Sequence, residues 1–278
     1  MERSFSLKNA IGQIWNLNLL ESFFQDVKGL GFEYSTKYTQ IGNSFVPLED
    51  TLKQKSIQGK IRFDDYPMFT SFAKFIQHQP IIMTYQSSET VFINVKVEKI
   101  GKTEKDAGGL YSDVTFVNLG LFYKILTAQN ESVSGVGKRY PYTYPYSYND
   151  NTSGTITMES DSVKEGPIKL TIIGPCTNPS WTHYLNNILQ ASGKIGSSEN
   201  ECVVPAGNRI VVDTTVIPFS IKEYDSVGAF VSDRYSYSDY STKRFLFLGF
   251  GSNQISLSHE GTSDLNVIAE GWIPYETI

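Results

Sequence analysis

DDYPMFTSFAKFIQHQPIIMTYQSSETVFINVKV, residues 64–97, changes its hydrophobic period halfway along and so decides the class of the fold. The first half reads as a helix. Asp64 and Asp65 offer carboxylates to the orphan amides and positive end of a helix N-terminus, and Pro67 suits the first turn. Phe69, Phe72, Ala73, Phe75 and Ile76 recur at steps of three and four, which gives residues 65–78 one apolar face before Pro80 stops them. Two adjacent carboxylates at a helix start serve as caps rather than as an acid and base pair. After Pro80 the period becomes two. Ile81, Met83 and Tyr85, then Val91, Ile93, Val95 and Val97, alternate with polar residues around Ser87-Ser88, the pattern of a hairpin on which the helix should lie.

Outward from this stretch, Val114, Phe116 and Val117 form a further strand after Gly108-Gly109, and weaker strands punctuated by Gly12, Gly29, Gly31 and Gly42 fill the first sixty or so residues. The N-terminal part is therefore α+β, mostly strand, with one main helix. Composition breaks after Gln129: Tyr140-Pro141-Tyr142-Thr143-Tyr144-Pro145-Tyr146-Ser147-Tyr148 favours an extended chain without ladder bonds. Tyr on alternate positions points rings to opposite sides, which suits packing between two surfaces better than a stacking platform. The expected division is a domain over residues 1–134, a Tyr/Pro-rich linker over 135–153 and a second domain over 154–278. In the last of these, strands are expected at Thr155–Met158, Ile168–Ile173, Cys202–Val204, Arg209–Asp213, Phe245–Leu248, Gln254–Leu257 and Val267–Ile273, with no periodic helix among them, the signature of a β-sandwich. Ser232–Lys243 reads as a solvated loop or hairpin tip, and Gly249–Asn253 as a link between two strands.

Composition narrows the function. With 40% hydrophobic and 13% aromatic residues, the 278-residue chain has enough apolar side chain for two ordered domains, so wholesale disorder is excluded. Its richest apolar run ends at Phe250 after starting at Phe245, far short of the roughly 18 residues of a membrane-spanning helix. The opening Met1-Glu2-Arg3-Ser4-Phe5 leads into no apolar block, so no secretory signal is visible and synthesis and folding in a cytoplasm are expected. Cys176 and Cys202 are then expected as two free buried thiols. A net charge of −5, with the acidic excess beyond Asn130, argues against a protein that grips nucleic acid by neutralising phosphates. No two of the 3 histidines lie within four residues of each other, and there is no nucleophile elbow or phosphate-binding Gly-rich loop. His78 at the helix end, His183 in a polar aromatic loop and His259 beside Glu260 after a strand read as structural. No catalytic residue, metal ligand or cofactor site is expected.

The pattern is similar to a known family. Gly29-Leu30-Gly31-Phe32, then Gly59-Lys60-Ile61-Arg62-Phe63, the helix with Tyr66, Phe69, Phe72 and Phe75-Ile76, the hairpin ending Val95-Lys96-Val97-Glu98-Lys99-Ile100-Gly101-Lys102-Thr103-Glu104, and Gly109-Leu110 before Val114-Thr115-Phe116 resemble the distal tail proteins of siphophages. Lys102-Thr103-Glu104 is the most specific element. In the second half Gly174, Asn178-Pro179-Ser180-Trp181, Pro205-Ala206-Gly207 before Val211-Val212-Asp213, and Phe247-Leu248-Gly249 before Asn253 resemble that family's galectin-like sandwich. The resemblance implies a mainly β protein: a tail-tube-like β-sandwich domain with one main helix, followed by a galectin-like β-sandwich. It also implies a homo-hexameric ring in the virion, at the distal end of a long non-contractile tail. Such a ring joins the tail tube to tail-tip and receptor-binding proteins, lets DNA pass without specific binding, and has no enzyme activity or cofactor. The alternative is a carbohydrate-binding module recognising host cell-wall saccharide, with Trp181, His183 and Asn178 as the sugar or partner contacts.

Overall fold

The computed structural model describes residues 3–102, 104–105, 108–132 and 152–277. The chain divides into two compact units, Met1–Lys124 with Pro274–Ile278 and Ile125–Ile273. The expected linker over 135–153 lies outside the described residues up to Asn151.

The first unit is built of β1 (Ser4–Lys8), β2 (Ile14–Asn16), β3 (Asn18–Leu19), β4 (Ser22–Lys28), β5 (Tyr34–Ile41), β6 (Ser44–Leu52), β7 (Ser56–Phe63), helix α1 (Tyr66–Phe75), β8 (Ile81–Gln86), β9 (Thr90–Ile100), β10 (Leu110–Asn118) and the start of β11 (Phe122–Gln129). Its main sheet is antiparallel in the order β1-β8-β9-β10-β7-β4. The two ends of that order meet. Leu17 donates its amide to the Phe5 carbonyl and accepts the Phe24 amide on its own carbonyl, both at 2.9 Å, so one residue ties β1 to β4. Asn18 reinforces the seam, accepting from the Phe5 amide and donating to the Phe5 carbonyl, each at 2.8 Å. Phe5, Leu17, Phe24, Ile57, Ile61, Ile93, Val95 and Phe116 fill the interior that this closure creates.

Helix α1 plugs that interior as its sequence predicts. Asp65 is the N-cap, accepting from the Met68 amide at 2.8 Å, while Asp64 instead pairs with Arg62 at 2.7 Å. Phe72 and Phe75 are buried, and Trp15 meets them at ring-centroid distances of 5.2 and 5.7 Å; Phe63 meets Phe72 at 5.3 Å. The helix ends at Phe75, a little before His78, because Gln77 and His78 bond back to the carbonyls three residues earlier and tighten the last turn. The following hairpin has the expected register. Met83 faces Ile93, Ile81 faces Val95, and all four are buried. Glu104 of the Lys102-Thr103-Glu104 element accepts from the Tyr66 hydroxyl at 2.6 Å at the start of α1. Thr103 itself lies outside the described residues.

The second unit contains β12 (Glu131–Ser132), β13 (Ser153–Ser160), β14 (Gly166–Ile173), β15 (Cys176–Thr177), β16 (Ser180–Leu185), β17 (Ile188–Lys194), β18 (Val203–Val204), β19 (Arg209–Asp213), β20 (Ser220–Tyr224), β21 (Phe230–Asp233), a 3-10 turn at Tyr235–Tyr237, β22 (Phe247–Leu248), β23 (Gly251–Ser258) and most of β24 (Asn266–Tyr275). One sheet runs β21-β20-β19-β14-β24 and the other β12-β13-β23-β16-β17, and β13, β14, β20 and β23 bury alternate residues, as a sandwich requires. The expected strands are present, and Gly249-Phe250 links β22 to β23. Ser232–Lys243 is largely solvent-exposed, as expected, with Ser238 its one buried residue. It carries the end of β21 and the 3-10 turn, and the Arg244 guanidinium lies 4.7 Å from the Tyr235 ring and 4.4 Å from the Tyr240 ring. Cys176 and Cys202 are free and buried, and burial pushes the Cys176 thiol up to about 12.

Replacing Phe72 by Asp puts an unpaired charge into the first unit's core and should abolish its cooperative unfolding transition, whereas Asp65→Ala should cost about 1 kcal/mol by loss of the cap. Thermal and urea unfolding followed by circular dichroism measure both. Near-normal stability of the Phe72→Asp chain would contradict the plug.

Candidate functional site

In the first unit the surface that stands out is apolar and unpaired. Among the described residues, strands β5 and β6 pair only with each other, in register from Tyr34 opposite Leu52 to Ile41 opposite Ser44, and Gly42 takes φ +61° in the turn between them. The half of this hairpin nearer the unit holds ion pairs, Lys37 with Glu49 at 2.6 Å and Lys53 with Glu33 at 2.5 Å. The distal half carries Tyr38, Ile41, Phe45, Val46 and Leu48, all exposed; Phe45 and Leu48 are each 69% accessible. A lone two-stranded ribbon with no covered face is marginal in water. A groove of about 340 Å³ lies at its base, lined among others by Phe32, Leu52, Lys53, Leu119 and Phe122. Elsewhere in the unit Ile11, Ile14, Leu19, Leu20 and Phe23 also stand exposed, beside the short outer strands β2 and β3. This much unburied apolar side chain beside open strand edges is the hallmark of an association surface.

The three residues singled out in the second unit are interior. Trp181 and His183 are both on β16 rather than in a loop, and both point inward, each 1% exposed. The Trp181 indole donates to the Arg244 carbonyl at 2.8 Å. Across the strand pair its partner is Gly193, where an added Cβ would lie 2.4 Å from the indole ring. The glycine is the space the indole occupies. His183 Nε2 lies 3.2 Å from the Asn253 amide oxygen, which also accepts the Gly249 amide. Burial holds the His183 imidazole below its ordinary value, more than the Asn253 bond restores, and Lys243 acts in the same direction as burial. Asn178 sits in the turn between β15 and β16, where its side-chain Oδ1 accepts the Cys202 amide at 2.8 Å and its side-chain Nδ2 donates to Glu260 at 2.6 Å. None of the three offers a face to a saccharide. They hold β16 in the sandwich.

Sequence reading missed a buried ionic knot in the same unit. Glu223 on β20 is 1% exposed and accepts from Asn208, Ser232 and, at 2.8 and 2.6 Å, from both Nε and a terminal nitrogen of Arg234. Burial raises the carboxyl's proton affinity, but the Asn208 and Arg234 bonds outweigh it, and the net value is below that of an ordinary glutamate. Among the described residues no group of three or more His, Cys, Asp or Glu side chains could hold a metal ion, and no helix is long and apolar enough to cross a membrane.

Residues 4–119 match the family model described as the distal tail protein, N-terminal domain. The whole chain superposes on a protein of the phage p2 baseplate, solved in its activated conformation with calcium, at a TM-score of 0.70 over 100% of both chains with 14% identity. It also superposes on the SPP1 Dit protein, described as a paradigm of the hub adsorption apparatus in phages infecting Gram-positive bacteria, at a TM-score of 0.57 with 10% identity, covering 98% of this chain and 99% of that one. At these identities the two likenesses establish the fold. No curated protein sequence matches the chain.

Two outcomes test the second unit. Gly193→Ala should destabilise it by about 1–3 kcal/mol, and in the Trp181→Phe background the same change should cost markedly less, because the clash is with the indole. Since the unfolded chain takes up a proton on His183 that the folded chain refuses, the stability due to the neutral ring is complete above about pH 6.5 and is lost as pH falls through the depressed folded-state value. His183→Gln should flatten the decline of melting temperature with pH between about pH 7 and 5. An unchanged slope would remove His183 as its source.

Proposed function

With residues 4–119 forming the N-terminal domain of a distal tail protein as the premise, we propose that this chain is a structural virion protein, the hub of a phage baseplate. It assembles as a homo-hexameric ring at the distal end of the tail, with the tail tube on one side and tail-tip and receptor-binding proteins on the other. The observation that carries the reading is the first unit's pair of separate apolar surfaces, the β5–β6 hairpin and the Ile11–Phe23 region. Two different patches on one chain suit a heterologous contact, in which each copy gives one surface and receives the other, and such contacts close into rings. The fold relatives, one from a phage baseplate and one from the hub of an adsorption apparatus, point the same way.

The acidic balance of the sequence suits a ring that DNA traverses, since a basic lumen would release counterions and hold the genome. The second unit serves as the outer attachment platform, in keeping with its expected galectin-like character. Its β21 edge, with Phe230 and Val231 exposed, is a surface on which a neighbouring protein can add. The saccharide reading through Trp181, His183 and Asn178 loses its basis, because a buried indole cannot stack on a sugar.

Multi-angle light scattering of the full chain, alone and with the tail-tube protein of the same virion, tests the ring. Six copies per particle are expected in at least the second condition. Phe45→Asp with Leu48→Asp should leave the melting temperature within a few degrees of the parent, as exposed positions do, yet hold the chain monomeric. A strictly monomeric parent in the presence of the tube protein would overturn the proposal.

A further inference from the structure

The second unit holds a pocket that neither the hub role nor the sandwich core uses. The β19–β20 connection forms one wall, with Ile217, Pro218 and Phe219, and the stretch from the end of β21 into the 3-10 turn contributes Asp233, Tyr235 and Ser236, with Phe245 completing it; the volume is about 710 Å³. Ligand sites typically occupy ~300–1,000 Å³. The three rings form one connected cluster: Phe219 and Phe245 have centroids 5.1 Å apart, and Tyr235 and Phe245 6.1 Å. Ile217 is 94% exposed, an aliphatic side chain held in water at the pocket wall.

The polarity of this lining selects the ligand. Asp233 is its only ionisable acid, and it has no lysine, arginine or histidine. The Asp233 carboxylate accepts the Tyr235 amide at 2.8 Å, which fixes its position. Aromatic faces carry negative potential, so three rings and a carboxylate together attract a cation. Tyr235 and Phe245 already hold one, since the Arg244 guanidinium lies 4.7 and 5.6 Å from their centroids; it is outside the lining and donates to the Asp239 carbonyl. A hexose would need partners for several hydroxyls at once, more than this lining offers. Beyond Asp233, Ser236 and the Tyr235 hydroxyl, the side chains that line the pocket are hydrocarbon. A quaternary ammonium has no N–H to satisfy, and its methyl groups match Ile217, Pro218 and the ring faces.

We propose that the pocket formed by Phe219, Asp233, Tyr235 and Phe245 binds a trimethylammonium group of the choline type, with Asp233 as counter-ion and the rings as its cage. The room beyond the cation accommodates the group that carries it. The site stands on the pocket's geometry alone and is independent of ring assembly.

Isothermal titration of the full chain with choline chloride, and with the uncharged alcohol in which carbon replaces the nitrogen, tests the assignment. Saturable binding of choline is expected, with the uncharged analogue several-fold weaker, the discrimination a solvent-open cation–π site supplies. Asp233→Asn keeps the size of the side chain and an oxygen for the Tyr235 amide, and Phe219→Leu keeps an apolar wall. Each should weaken choline by several-fold while the melting temperature stays near that of the parent. Co-sedimentation with phosphatidylcholine vesicles would assign the group to a lipid headgroup; choline binding without co-sedimentation would assign it to a soluble or wall-linked carrier. No heat with choline, equal affinity for the uncharged analogue, undiminished affinity in both variants, or competition by a neutral hexose would each overturn the proposal.

Discussion

Leu17 is where the first unit closes. A sheet rolled from β1 round to β4 would leave two edges of unpaired amides and carbonyls, and Leu17 answers one from each side while Asn18 answers Phe5 twice more. Closure by a single residue is possible only because the interior it seals is filled, with Leu17 itself buried beside Phe5 and Phe24, whose rings meet edge to face at 5.4 Å. Helix α1 follows from the same constraint. The interior still needs a cover where β7 hands over to β8, and Phe72 and Phe75 provide it against Trp15 and Phe63.

Once the main sheet has satisfied its own edges, what remains outside it carries the capacity to associate. The β5–β6 hairpin has backbone pairing but no buried face, so its apolar distal half gains nothing within the unit. Its charged basal half, with Lys37–Glu49 and Lys53–Glu33, keeps the hairpin's root soluble. The division of labour in the second unit is similar. Trp181, His183 and Glu223 are spent on holding the sandwich, and the rings around Phe219 and Tyr235 are left at the surface.

Residues 64–97 were legible because capping, periodicity and turn residues all agree there, and α1, β8 and β9 fall where those signals put them. The strands that gave no signal hide for identifiable reasons. On β17 the inward positions are Ala191, opposite His183, and Gly193, whose side-chain space the Trp181 indole fills, so no apolar alternation is visible. On β20 an inward glutamate breaks the pattern, and only the Arg234 and Asn208 partners, remote in sequence, make Glu223 tolerable inside. Trp181, His183 and Asn178 are close in sequence and chemically suggestive, but which face of a strand an aromatic takes depends on its cross-strand neighbour. The signal was Gly193. The return of Pro274–Ile278 to the first unit, with Tyr34 bonded to Glu276, has no local signature at all.

The central claim is that this chain is a ring-forming hub at the end of a tail. Electron cryo-microscopy of intact virions with a gold-labelled antibody fragment against the second unit tests it most directly. The account predicts label confined to one tail end, immediately below the tube, with sixfold-averaged density into which the first unit fits as a closed ring. Label distributed along the tail, on the capsid, or absent from purified virions would contradict it.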